Sequence, residues 1–244
     1  MNALTIIKTL GPIDGRNTRR DPMLRWMLLA PLFLALIFRF VLPWAVQIAE
    51  ANVGLDLRPY LPMLYAYLAL LIPVLYGAVV GFLLLDERDD RTLLALQVTP
   101  LPLAGYATYR IGVPILLSLL LTPLTFWVVG VPGLSWWGMW VTAVAAAPLA
   151  PIYMLLLAAF AANKVQGFAL MKGLGIFLVV PLAAWFVPMP WQLLLGLLPT
   201  YWPVKVFWLL LAGQNYGGFM VVGLIYQSIL VVLLFRRFRQ VISH

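Results

Sequence analysis

Asp86, Glu87, Asp89 and Asp90 crowd four of the eight acidic residues of this chain into the run DERDDR, beside Arg88 and Arg91. Carboxylates serve general acid/base catalysis, metal binding and proton carriage. The rest of the chain offers them few chemical partners. After Asp90 there is no Asp or Glu in the remaining 154 residues, the only histidine is the terminal His244, and cysteine is absent. That excludes thiol catalysis, disulfides and thiolate metal sites. Glu50 and Asp56 are the only acids left for the opposite side of the molecule, and on a short polar loop they read as solvated. No catalytic residue and no metal ligand is assigned, and an enzyme is not expected.

The elements that position DERDDR are membrane helices. The chain is 64% hydrophobic and 10% charged, with a mean hydropathy of +1.00, whereas a soluble domain is about 45–50% apolar and about 25% charged. Stretches long enough to span a bilayer fall at about 24–48, 61–85, 107–130, 136–162, 170–188 and 216–235. Alternating segments of barrel type are missing. The fold class expected is therefore all-α integral membrane, with six transmembrane helices. A basic, amphipathic N-terminal segment (1–23) precedes a single membrane domain (24–235), and a basic tail (236–244) follows it. The first apolar run is too long for a cleavable signal and carries Arg39.

Basic loops stay on the cytoplasmic side. With both termini inside, thirteen of the sixteen Lys and Arg residues are cytoplasmic, Arg58 and Lys205 are outside, and Arg39 lies within the first span. The net charge of +8 then reads as topology and contact with anionic lipid, not as a nucleic-acid surface. Residues 190–214 could be a kinked seventh span. Pro199 and Pro203 favour two short helices instead, an outer re-entrant or interfacial hairpin anchored by Trp191, Tyr201, Trp202 and Trp208. Ala143, Ala145, Ala146, Ala147 and Ala150 predict close helix packing in the fourth span, and Pro114, Pro123, Pro148, Pro151 and Pro181 predict interruptions within spans.

Arg39 is the sole charge inside a span. It reads either as a cavity residue attracting an anionic or polar substrate group, or as a snorkelling side chain near the outer interface marked by Pro43 and Trp44, the preferred reading. Tyr65, Tyr67 and Tyr76 are the aromatic candidates for a substrate pathway, with packing against neighbours as the plain alternative.

DERDDR follows the second span on the cytoplasmic side. Thr92 is placed to cap a short helix, LLALQV, which ends before Thr99, Pro100 and Pro102. So short a helix is marginal in water, and Leu93, Leu94, Leu96 and Val98 need a surface to cover. That surface is either the bilayer or a groove on a cytoplasmic partner. The run LLLDERDDRTLLALQVTPLPLAGYATYR resembles the coupling-helix segment of type-2 ATP-binding-cassette (ABC) permeases, with most of the match in residues 86–106. Arg91 stands where that family often has glycine. The resemblance implies that Asp86, Glu87, Arg88, Thr92, Leu93, Leu96, Thr99 and Pro100 contact a separate ATP-hydrolysing subunit. ATP and Mg are expected in that partner, since no G-x-x-x-x-G-K-[ST] loop occurs here. NKVQGF (163–168) and LLPTYWPVKVFW (197–208) are similar to drug exporters, including fluoroquinolone export permeases.

The resemblance implies a bacterial inner-membrane permease subunit that works with a second copy or a sister permease and exports by alternating access; the near-absence of charge in the spans suggests an apolar or amphipathic substrate. The rival reading is a membrane scaffold whose cytoplasmic loop binds a partner without transport. An intramembrane lipid-modifying enzyme is disfavoured by the missing acids and histidines.

Overall fold

Hydropathy alone requires helices, since a backbone in hydrocarbon must satisfy its own hydrogen bonds, and the structure, a computed structural model describing residues 3–89 and 103–242, has no strand among those residues. In chain order the helices are α1 (Ala3–Arg20), α2 (Pro22–Leu36), α3 (Leu42–Val53), α4 (Leu61–Asp89), α5 (Leu103–Val129) and α6 (Trp136–Ala146). They continue as α7 (Leu149–Phe160), α8 (Lys164–Leu174), α9 (Val180–Phe186), α10 (Tyr201–Leu211) and α11 (Gly217–Ile242). A π-turn, Ile37–Val41, joins α2 to α3, and 3-10 turns lie at Arg58–Tyr60, Gly175–Val179 and Trp191–Leu197. Six helical stretches are long and apolar enough to cross a membrane: Pro22–Val53, Arg58–Asp89, Gly105–Val129, Trp136–Phe160, Lys164–Phe186 and Gly217–Val241. The fifth starts earlier than hydropathy indicates, because Lys164 lies in its first turn.

The spans are not equally buried. The most apolar window is 89% buried in the second span and 78% in the fourth, against 17% in the first and 11% in the sixth. The second and fourth spans thus form the core, and their intimacy has a local cause. Gly77 and Gly81 of α4 form a G-x-x-x-G step facing α7, and a Cβ at Gly77 would lie 2.2 Å from the Ala150 carbonyl oxygen. Small residues admit such backbone contact. The alanines of the fourth span meet their expectation, since Ala143, Ala145, Ala146, Ala147 and Ala150 are all buried.

Proline breaks only some of the spans. Pro148 and Pro151 lack N–H donors, and the fourth span tightens between α6 and α7, where the Ala150 N–H donates to the Ala147 carbonyl at 3.1 Å. Pro114 and Pro123 sit inside a continuous α5. Between α9 and α11 the chain makes the Trp191–Leu197 3-10 turn and then α10. At 11 residues, about 16 Å, α10 falls short of the roughly 30 Å of hydrocarbon. It packs against α4, α6 and α11, and this burial changes the expected aromatic anchors. Tyr201 is fully buried, and the Trp208 Nε1–H donates to the Pro62 carbonyl at 3.0 Å, whereas Trp191 stays largely exposed. Gln192 staples the turn: its Nε2 donates to the carbonyls of Ala184 (2.6 Å) and Val187 (3.1 Å), and its Oε1 accepts from Lys205 Nζ at 2.7 Å.

The α1–α2 junction, the C-terminal turns of α4 and α7, the starts of α5 and α8 and the end of α11 share one end of the bundle, termed the base. Phe238 of α11 packs there with Tyr106, Tyr109 and Leu84. The π-turn, the end of α5, the start of α6 and α10 lie at the opposite end.

Candidate functional site

Three consecutive residues at the base, Asp86, Glu87 and Arg88, occupy the last turns of α4 immediately before residues 90–102. Successive helical positions point about 100° apart. Each of the three therefore reaches a different neighbour.

Asp86 Oδ2 accepts from Lys164 Nζ at 3.0 Å, and the same ammonium pairs with Asp21 Oδ2. Pro22 starts α2 and steers Asp21 out of helical geometry. Asp21 Oδ1 then caps the helix, accepting from the N–H groups of Met23 (2.8 Å) and Leu24 (3.2 Å). Burial by itself would raise the Asp21 carboxyl. The Lys164 hydrogen bond and charge, with the two backbone N–H groups, outweigh it and hold the carboxyl below its usual value. Lys164 sits in the first turn of α8, where the helix dipole disfavours a cation, so two carboxylates offset its position. Asn163 caps α8 by accepting from the Gln166 N–H at 3.0 Å, while Gln166 Oε1 accepts from the Ala162 N–H at 2.9 Å, an arrangement close to a capping box. Gly167 lets α8 settle on Phe82 and Leu85 of α4.

Glu87 faces α5. Its two oxygens accept from Arg110 Nη2 and from the Tyr106 hydroxyl. Arg110 also donates from Nη1 to Asp14 Oδ2 of α1 at 2.8 Å and from Nε to the Tyr106 oxygen at 3.2 Å, and the Tyr109 hydroxyl donates to Asp14 Oδ2 at 2.8 Å. The Arg110 side chain is 2% exposed, and those of Asp14 and Glu87 are 16% and 12% exposed. A buried ion needs such partners, because desolvation without them costs several kcal/mol. The guanidinium fork suits two carboxylates at once. Arg88 turns to α7, where its Nη1 donates to the Ala161 carbonyl at 3.0 Å, with Ala158 O at 3.4 Å. A cation suits this C-terminal helix end.

The acid-rich run thus ties α4 to α5 and α7 directly, to α8 and the α1–α2 junction through Lys164, and to α1 through Arg110. Of the residues expected to contact an ATPase, Asp86, Glu87 and Arg88 lie in this anchor, whereas Thr92, Leu93, Leu96, Thr99 and Pro100 lie outside the described residues. The pathway candidates are not brought together. Tyr65 is buried with its ring 6.1 Å from Phe38, the Tyr76 hydroxyl donates to the Leu28 carbonyl at 3.1 Å, and Tyr67 is half-buried. Arg39 is at the far end, beside a recess whose wall contains none of the three.

Arg110, Tyr106, Tyr109, Asp14, Asp21 and Lys164 are site residues that the sequence alone does not single out. The four-residue spacing of Tyr106 and Arg110, which puts them on one helix face, was the available signal, together with the N-x-x-Q cap at Asn163. Nothing local joins residue 14 to residue 110.

Residues 14–235 match the family model described as "Fluoroquinolones export permease protein Rv2686c-like". The chain is 33% identical over 237 residues to the fluoroquinolones export permease protein Rv2686c of Mycobacterium tuberculosis strain H37Rv, covering 96% of this chain and 94% of the relative. The same figures hold for the fluoroquinolones export permease protein MT2760 of strain CDC 1551. No solved structure matches the chain.

Proposed function

Because this chain belongs to the family of fluoroquinolone export permeases, we propose that it is the membrane-spanning subunit of an ABC exporter, driven by a separate ATPase subunit that binds ATP and Mg. Both termini and residues 86–106 face the cytoplasm, as the concentration of Lys and Arg at the base favours. The coupling segment, residues 86–106, docks on the ATPase with Leu93 and Leu96 among its contacts, and the pore is completed by a second copy or a sister permease. The outer hairpin closes the opposite end.

The observation that supports this reading is the anchoring of Asp86, Glu87 and Arg88. A displacement of the docking segment enters α4 at the point where α4 is joined, directly or through Arg110 and Lys164, to the helices around it. A push from one partner is thereby shared across the base instead of bending one loop. Nucleotide drives transport only through different affinities for the inward-open and outward-open forms. Fluoroquinolones, the substrates in the relatives' names, are the first to test, as amphipathic molecules suited to a pathway with almost no charge.

The test is co-expression with the candidate ATPase subunit in lipid nanodiscs. The expected result is ATPase turnover that rises with a fluoroquinolone, and Leu93→Asp with Leu96→Asp removing the rise while the spans stay folded. Unchanged stimulation in that variant would overturn the docking assignment, and the absence of any co-purifying ATPase would overturn the exporter reading.

A further inference from the structure

Arg39 takes no part in the base, and its setting is built from several independent features. The first span changes helical form there. Pro43 has no N–H to return to the Arg39 carbonyl, and the Leu42 N–H donates to Ile37 O, five residues back, giving a π-turn of the kind often found at functional positions. Beside it lies an open recess of about 410 Å³, walled by Leu36, Arg39, Phe40, Trp127 and Val128.

The depth of this recess follows from the third span. Gly105–Val129 is 25 residues long, about 37 Å as a helix, against roughly 30 Å of hydrocarbon. Centred in the bilayer, such a helix extends past the hydrocarbon at both ends, which brings its last turn to headgroup level, and Arg39 Nη1 donates to the Val128 carbonyl in that turn at 2.6 Å. Gly130, with φ of 70°, ends the helix close by. Trp44, Trp127, Trp136 and Trp137 are each more than 60% exposed around the same end, the position of an aromatic belt.

The guanidinium has five N–H donors, and the hydrogen bond to Val128 uses only part of them. Among the described residues no carboxylate pairs with Arg39. At this end Glu50 is paired with Arg58, and Asp56 accepts from the Arg58 N–H. The recess opens between exposed apolar side chains, with Phe40 64% and Trp127 61% exposed. At that depth the recess would meet acyl chains below and headgroups above.

We propose that this recess is a phospholipid site in which Arg39 grips the headgroup phosphate while Leu36, Phe40 and Trp127 hold the upper acyl chain. Phosphate and guanidinium match as a fork, and a net-anionic headgroup, as in phosphatidylglycerol, binds better than a zwitterionic one. The site is independent of any transport cycle, so its failure would leave the exporter reading untouched.

The test is native mass spectrometry of the purified chain in a maltoside detergent, titrated with phosphatidylglycerol or phosphatidylcholine. Wild type is expected to keep one phosphatidylglycerol more than Arg39→Gln does, with the affinity of that molecule lowered about tenfold in the variant, the factor that 1.4 kcal/mol represents. Arg39→Lys is expected to retain most of it. Equal retention by wild type and Arg39→Gln overturns the proposal. So does displacement of the bound lipid by dodecanoate but not by phosphatidylglycerol, which would mark a site for carboxylate amphiphiles. Should Arg39→Gln not fold, brominated lipids decide with the arginine in place. The quenching lost on Trp127→Phe must be larger with brominated phosphatidylglycerol than with brominated phosphatidylcholine, and equal loss refutes the site.

Discussion

Replacing Arg110 by methionine keeps an unbranched apolar stem out to about the position of Nε and removes the charged fork beyond it. Two carboxylates, Asp14 and Glu87, then remain at 16% and 12% exposure with the Tyr109 and Tyr106 hydroxyls as their remaining side-chain donors. Removing one partner from a buried ion pair costs about 3–5 kcal/mol. Because both carboxylates keep some contact with water, the lower end applies, and about 3 kcal/mol is expected, a factor of more than a hundred in the folding equilibrium. Adding Glu87→Gln to Arg110→Met removes one stranded charge while leaving an acceptor for Tyr106. The double variant is therefore expected to recover part of the loss, and Arg110→Lys, one ammonium for two carboxylates, to fall between. Reversible unfolding in mixed micelles, followed by tryptophan emission, measures these differences. Trypsin supplies a local readout, since release of Asp14 frees α1 and should speed cleavage at the exposed Arg16, Arg19 and Arg20. An Arg110→Met chain within 1 kcal/mol of wild type, or a double variant whose losses simply add, would refute the coupled network.

Three further substitutions probe the core, an open control position and the helix junction. Gly77→Ala places a methyl 2.2 Å from a backbone oxygen that has no rotamer to escape into, so a loss toward the upper end of about 1–3 kcal/mol is expected. Gly112→Ala, with nothing within 4 Å, is expected to be neutral or slightly stabilising in the same assay. The Asp21 carboxyl lies below its usual value of 3.8 in the folded chain, so its contribution is complete above the ordinary carboxylate range and is lost as pH falls through the depressed value. Asp21→Asn, which keeps a capping oxygen but not the charge facing Lys164, should flatten that acid-side loss, an effect of about 1 kcal/mol. An acid profile identical to wild type would show that Asp21 contributes nothing as an anion.

The six spans were legible because crossing a membrane is a local property: about twenty apolar residues in a row must be helical whatever surrounds them. The unusual placement of DERDDR was equally plain, since acids in so apolar a chain must find water or partners. Composition also told that the alanines of the fourth span would pack closely. It could not tell which helix they would meet, and Gly77 and Gly81 become meaningful only once α7 lies against them. Arg39 shows the division most clearly. Its sequence setting allowed both a cavity and a snorkelling side chain, and the structure contains a recess and a bond to Val128 together.

What folding alone decided is the use made of the charges. Asp14 and Arg110 are 96 positions apart, and Asp21 and Lys164 are separated by 143, distances over which periodicity and propensity carry no information. Their pairing is selected by desolvation: once α1, α4 and α5 exclude water from the base, an ion left without a partner is too costly, and only an arrangement that satisfies all of them together persists. The sequence by itself determined that the chain lives in a bilayer and where its ions are concentrated. Tertiary packing determined that those ions join α4 to the helices around it.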